Sequence, residues 1–307
     1  MEIFLQQIIN GLVQGSVYAL VALGYTMVYG ILGLINFAHG EVVMVGAMLA
    51  LSALTAMIGW GVSPLLALPL SLLLAMAGCM LLGYSIERIA YRPLRHAPRL
   101  APLITAIGVS IVLQNLAMMI WGREYHAFPQ LIANQPHHIA GAMINDIQII
   151  IIIMALVIML ALMAIVHRTR LGRAMRAVAE NQHAAQLMGV DVNRVISVTF
   201  MLGSALAAIA GLMISANYGL AHYYMGFLLG LKAFTAAVLG GIGNLRGAML
   251  GGVLLGLIES LGAGYIGDLT GGFMGSQYQD VFAFFVLIAV LVFRPSGLLG
   301  ERLAERA

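Results

Sequence analysis

The chain has 307 residues, of which 62% are hydrophobic and only 9% are Asp, Glu, Lys or Arg; a water-soluble domain carries about 25% charged residues. With a mean hydropathy of +0.99, most of the surface must meet lipid or another apolar surface, which excludes soluble catalytic and binding modules. The net charge is only +3, and the fifteen basic residues cluster in linkers, where they act as topology signals rather than as a nucleic-acid face.

In chain order the apolar segments run 8–31, 41–59, 63–84, 101–121, 147–167, 195–217, 226–242, 247–266 and 279–293. At roughly 20 residues per membrane helix, the length allows about eight to ten spans. The expected fold is all-α and polytopic, with about eight or nine transmembrane helices, some of them broken or re-entrant. One domain is expected over 1–307. No basic n-region precedes the first apolar stretch, which is too long for a cleavable signal, so the first span is expected to target the chain. Cys79, the single cysteine, reads as a small buried hydrophobe.

The linkers orient the chain. Arg88, Arg92, Arg95 and Arg99 share one linker, and Arg168, Arg170, Arg173, Arg176 and Arg194 share another. Arg294, Arg302 and Arg306 lie at the C-terminus, leaving only Arg123, Lys232 and Arg246 elsewhere. The positive-inside bias puts 85–100, 168–194 and the tail in the cytoplasm, and 122–146 outside. Met1–Gln7 holds one charge, Glu2, so the side of the N-terminus stays open. Outside, His126, His137 and His138 read as solvated loop residues. Tyr218, His222, Tyr223 and Tyr224 read as an interfacial aromatic belt or as a docking surface. Asp268 and Asp280 flank the last outer loop.

Glycine is abundant, at 36 residues, and several glycines recur at four-residue spacing. Gly11 and Gly15 do, as do Gly243, Gly247 and Gly251, and Gly252 with Gly256. Such spacing lets helix backbones approach closely in lipid, inside one subunit or between two.

Three segments carry more than packing. In Gly33–Glu41, the polar residues Asn36, His39 and Glu41 sit between apolar runs without a turn-forming Pro. Each charged group there would cost about 2.5–3.5 kcal/mol at the bilayer centre. They read either as part of a transport path at a broken helix or as a cytoplasmic turn with Asn36 as a cap. No metal site is expected, since His39 and Glu41 have no third ligand nearby. In Lys232–Gly247, a short segment with Thr235 meets a break at Gly240, Gly241 and Gly243, and another apolar run follows. Lys232 reads as snorkelling or paired with a carboxylate. The shared layout of the two segments suggests a two-fold internal repeat around a pathway. In the cytoplasmic linker 168–194, one alanine-rich helix is expected from Gly172 to Met188, with Asn181 available as an interior cap and Gly189 as its end.

Ala184-Ala185-x-x-x-Gly189 in that linker resembles the loop by which ABC importer permeases engage their ATPases, with His183 in place of the leading Glu and Glu180 three residues earlier. Further motifs run in order through the chain: Gly24-Tyr-Thr-Met-Val-Tyr-Gly30, Ile35-Asn-Phe-Ala-His-Gly-Glu41, Glu87-Arg-Ile-Ala-Tyr-Arg-Pro93, Ala106-Ile-Gly with Leu113-Gln-Asn115, and Lys232–Gly243. Together they resemble the LivH-type permeases of branched-chain amino-acid ABC importers.

The resemblance implies a bacterial inner-membrane protein with four kinds of partner besides lipid: a second, LivM-like permease, LivG-like and LivF-like ATPases, and a periplasmic substrate-binding protein. It implies that Arg173, Arg176, Glu180, His183, Ala184, Ala185 and Gly189 couple to the ATPases. ATP and Mg²⁺ would be bound by the partners, since no phosphate-binding Gly-x-x-x-x-Gly-Lys-Ser/Thr loop occurs in this chain. The chain itself would be neither an enzyme nor a cofactor carrier.

Urea and short-chain amide permeases of the wider family are the alternative. An ion-coupled secondary transporter would need embedded carboxylates; Glu41 and Glu259 are the candidates, and both read as near a membrane edge. An intramembrane hydrolase would need a base beside Ser204 or Ser215, and no histidine stands at useful spacing.

Overall fold

The computed structural model describes residues 2–95, 97–98, 100–130, 134–139, 141–269, 271 and 278–300, with all their side chains but those of 268, 269 and 282. Arg99, Arg302, Arg306 and the side chain of Asp268 lie outside the described residues.

The fold is that of an all-α polytopic membrane protein. In order come α1 (Glu2–Leu32), α2 (His39–Gly59), α3 (Pro64–Ile86), α4 (Leu100–Trp121), α5 (Asp146–Arg168), α6 (Arg170–Glu180), α7 (Gln182–Leu187), α8 (Val192–Tyr218), α9 (Met225–Gly240), α10 (Leu245–Leu269) and α11 (Gln279–Phe293). A π-turn (Glu87–Tyr91) and a 3-10 turn (Arg92–Leu94) prolong α3. Among the described residues, seven helices are long and apolar enough to cross a membrane. The apolar helices α9 and α11 are shorter, at 16 and 15 residues, or about 23 Å against a hydrocarbon core of about 30 Å.

Four short strands qualify the all-α expectation. β1 (His126–Ala127) pairs with β4 (Leu220–Ala221), and β2 (Pro136–Ile139) pairs with β3 (Ala142–Asn145). They lie in linkers, where unpaired backbone N–H and C=O groups find partners in short ladders.

Burial sorts the spans. In the apolar stretches of α1 and α8, 83% of residues are buried by the chain itself, against 17% in α4. Leu65, Leu73 and Leu81 on α3 and Ile104, Met119 and Ile120 on α4 are exposed, as lipid-facing or partner-facing residues must be.

The helices form two compact units. The first comprises Met1–Thr26, Ala133–Met159 and Lys232–Ala307, and the second comprises Met27–Ile132 and Leu160–Leu231. In the first unit, glycines bring α1 and α10 to backbone contact. A Cβ on Gly11 would stand 2.8 Å from Leu257 Cα, and one on Gly15 2.8 Å from Val253 Cα. On the facing helix, Gly252 abuts Ala19, and Gly256 abuts Gly15. These four-residue spacings therefore serve packing within one chain. In the second unit α2, α3 and α8 pack together: Gly46 meets Ala208, Gly211 meets Val43 and Ala47, and Gly83 meets Ser204.

The expected breaks are present. Gly33, at φ 64°, follows α1, and Gly241 and Gly243, at φ 109° and 93°, separate α9 from α10; glycine reaches these angles without a Cβ clash. The last carbonyls of α9 are met from the tail, where Leu298 N–H donates to Leu239 O and Leu299 N–H to Gly240 O, both at 2.9 Å.

Candidate functional site

The first cluster lies at the start of α2, in the second unit. After Gly33 the chain turns at Asn36, whose Oδ1 accepts from Ala38 N–H at 3.1 Å and from Tyr91 Oη at 3.1 Å. Asn36 does not cap α2; that position is Ala38, which makes no side-chain cap bond. The helix therefore opens with its polar residues turned inward, and Asn36, His39 and Glu41 are all buried.

Glu41 Oε1 accepts from Gln114 Nε2 at 2.6 Å and from Ser110 Oγ at 3.3 Å, while Oε2 has no hydrogen-bond partner. Ser110 and Gln114 lie halfway along α4, whose last residue, Trp121, donates from Nε1 to Ser52 Oγ at 2.7 Å. The first turn of α2 is thus level with the middle of α4.

Glu259, expected near a membrane edge, is instead the fifteenth of the 25 residues of α10 and the centre of a polar group in the first unit. Lys232 Nζ stands 3.1 Å from Glu259 Oε2 and 2.7 Å from Asp280 Oδ1. Tyr18 Oη donates to Glu259 at 2.8 Å and Gln14 Nε2 donates to it at 3.1 Å. Lys232 is therefore paired with carboxylates, one of the two readings its sequence allowed. Thr235, one turn on, is buried. Gly240, Gly241 and Gly243 form the break and contribute no polar side chain. Gly240 packs on Gly247, and Gly241 packs on Gly300.

Linker 168–194 contains two helices where one was expected. Asn181 has extended backbone (φ −157°, ψ 107°), and its side chain accepts from Ala184 N–H at 2.9 Å, so it ends α6 and caps α7. Thr169 caps α6 through Gly172 N–H, and Asp191 caps α8 through Arg194 N–H. Gly189 has φ 86°, the left-handed closure its position suggested. Met175, Val178 and Ala185 are buried, while Arg173, Arg176, Glu180, His183, Ala184 and Gly189 are exposed. Gln182 reaches back and donates to Ile31 O in the last turn of α1 at 3.0 Å.

Several functional candidates emerge only from the structure. Leu187 and Met188 are 76% and 85% exposed at the tip of α7; two bulky apolar residues in a polar loop just before Gly189 were the available signal. Glu87 is fully buried and joins the end of α3 to α8. Arg92 binds it through Nε at 3.2 Å and Nη2 at 3.0 Å, Ser197 Oγ donates to it at 2.6 Å, and Arg95 pairs with it. Burial lowers the Arg95 guanidinium from its ordinary pKa, against the opposing pull of Glu87. The spacing from Glu87 to Arg92 lies inside the Glu87–Pro93 motif, but Ser197 is too distant in sequence to have been linked to it.

The linkers expected outside are also more organised than the sequence suggested. His137 Nε2 pairs with Asp146 Oδ1 at 2.6 Å, and His126 bonds Trp121 O at 2.7 Å. Tyr125 stacks on His222 with ring centroids 4.3 Å apart, and Tyr223, Tyr224 and Phe227 continue the aromatic run.

Comparisons with known proteins bear on what these clusters serve. The family profile "Branched-chain amino acid transport system / permease component" matches residues 7–291. The high-affinity branched-chain amino acid transport system permease protein BraD of Pseudomonas aeruginosa is 47% identical, over 99% of this chain and 98% of its own. The permease protein LivH of Salmonella typhimurium is 44% identical over 99% and 97%. A probable LivH of Methanocaldococcus jannaschii is 28% identical over 95% and 91%. No solved structure matches.

Proposed function

The chain belongs to the family of branched-chain amino acid transport permease components, and on that premise we propose that it is a membrane-spanning subunit of a binding-protein-dependent ABC importer. It moves leucine, isoleucine and valine inward by alternating access. The near-full-length identity to BraD and LivH carries this reading.

In this reading the protein sits in the bacterial inner membrane beside a second, LivM-like permease. A periplasmic binding protein delivers the amino acid, and LivG-like and LivF-like ATPases bind ATP with Mg²⁺ and supply the energy of its hydrolysis. The contribution of this chain is mechanical. The exposed tip of α7, with Leu187 and Met188 beside His183 and Ala184, is the surface offered to an ATPase, and Arg173 and Arg176 flank it on α6. The bond from Gln182 to Ile31 O passes displacement of α7 to the end of α1, immediately before the break that leads to Asn36, His39 and Glu41. Gly33 there gives the backbone freedom to pivot.

The test is gentle extraction followed by mass spectrometry of what co-purifies, then ATP-driven uptake by the purified assembly in proteoliposomes. A second permease, two ATPases and leucine uptake support the proposal. Uptake of urea or short-chain amides in place of leucine would overturn the substrate, and uptake driven by an ion gradient without ATP would overturn the class. Gly189→Val tests the coupling loop: a β-branched residue strains the left-handed position. Uptake is expected to fall at least fivefold with normal membrane insertion, and unchanged uptake would remove the loop from the mechanism.

A further inference from the structure

Glu41 combines features that a purely structural carboxylate lacks. It is 1% exposed and level with the middle of α4. Its two partners, Ser110 and Gln114, are neutral, and among the described residues no Lys or Arg forms an ion pair with it. Both partners hold Oε1. Oε2 is sealed from solvent without a donor and is directed at the first turn of α9, where a Cβ on Gly226 would stand 2.8 Å from it. A buried carboxylate oxygen without a donor loses its hydration without compensation, a cost that a fold removes unless the oxygen has another use.

The surroundings indicate that use. The first turns of α2 and α9 meet through glycine: a Cβ on Gly40 would lie 2.6 Å from Gly226 O and 2.8 Å from Gly230 Cα. The backbones meet directly at these glycines, so the contact between the two helix starts is largely backbone on backbone. Each helix start also presents N–H groups that lack an intrahelical acceptor, at the positive end of the helix dipole. When the two starts separate, the same place offers one carboxylate oxygen and two anion-favouring helix ends. A zwitterion whose ammonium and carboxylate are one carbon apart matches that charge pattern. Met44, fully buried on the next turn of α2, supplies apolar surface beside it. Among the described residues, no group of three or more His, Cys, Asp or Glu side chains is placed to hold a metal ion. Glu41 is a lone anionic ligand, suited to an organic ammonium group.

We propose that Glu41 receives the α-ammonium group of the transported amino acid through Oε2, at a site that this structure holds closed by glycine contact between α2 and α9. The assignment rests on the branched-chain amino-acid reading above and adds a residue and a polarity to it.

The experiment uses the complete transporter purified with its partner subunits, in proteoliposomes with leucine-loaded binding protein outside and ATP inside. Glu41→Gln preserves size and the acceptor for Ser110 and Gln114 but removes the charge; Glu41→Asp keeps the charge. Uptake is expected to fall at least tenfold in Glu41→Gln and to recover several-fold of that loss in Glu41→Asp. Wild-type uptake in Glu41→Gln, or equal loss in both variants, overturns the proposal.

A second measurement needs no variant. Dicyclohexylcarbodiimide, which modifies carboxyl groups in apolar surroundings, is applied to the wild-type complex during turnover, and the Glu41 peptide is quantified by mass spectrometry. Leucine with its binding protein and ATP is expected to lower labelling at least threefold. Absent labelling, or labelling indifferent to leucine, overturns the assignment, and protection by Na⁺ or K⁺ in place of leucine overturns it in favour of an inorganic cation. If the wild-type complex moves no leucine at all, the functional reading itself has failed, an outcome distinct from any of these.

Discussion

Glu41 and Glu259 are both buried carboxylates, and they are built in opposite ways. Glu259 is neutralised: Lys232 pairs with its Oε2, to which Tyr18 and Gln14 also donate. Glu41 is held at one oxygen by two neutral groups, and its other oxygen faces a glycine-lined helix crossing. The first arrangement ties α1, α9, α10 and α11 into one unit around a neutralised charge. The second keeps a charge available at the expense of an unsatisfied atom. Burial and residue type are therefore poor guides to role, and the charge of the partner set is a better one.

The largest effect should come from breaking the ion pair. Lys232→Met leaves Glu259 buried without its cation and should destabilise the protein by about 3–5 kcal/mol, since an uncompensated buried charge costs that much. The apparent Tm of the purified complex reads it, and adding Glu259→Gln should restore most of the loss. A milder single variant, or no restoration, would show that Glu259 is not held as a pair.

Gln114→Leu removes the shorter bond to Glu41 and should cost about 1–3 kcal/mol on the same assay. A loss as large as that of Lys232→Met would break the comparison, because the fold would then depend on the anchoring of Glu41 no less than on that of Glu259. The smallest effect belongs to Ser110→Ala, whose bond to Glu41 is long at 3.3 Å. About 0.5 kcal/mol is expected there, and a shift above that of Gln114→Leu would reverse the ranking of the two anchors.

What the sequence revealed was local. Apolar length placed the spans, the glycines at 240–243 marked a helix break, Gly189 marked a left-handed end, and Asn181 announced a cap. Each of these depends on neighbours within a few residues. Depth and partnership do not. Nothing near Glu259 in the chain indicates Tyr18 or Lys232, and nothing near Glu41 indicates Gln114; those pairings exist only once the helices are assembled. The division of linker 168–194 into α6 and α7 was half legible, since the cap residue was identified but its extended backbone was not. The paired strands β1 and β4 join residues too far apart in sequence for any turn signal to connect them.

The bonds from Leu298 and Leu299 to the last carbonyls of α9 have a consequence for biosynthesis. As the chain is made, α9 enters the membrane with the carbonyls of Leu239 and Gly240 still lacking these donors, and they are supplied only when the residues after α11 emerge. The end of α9 is thus one of the last features of the protein to be completed, although α10 and α11 are synthesised after it. A nascent chain stalled before Leu298 would hold every apolar helix from α1 to α11 and still leave the carbonyls of Leu239 and Gly240 without these two donors.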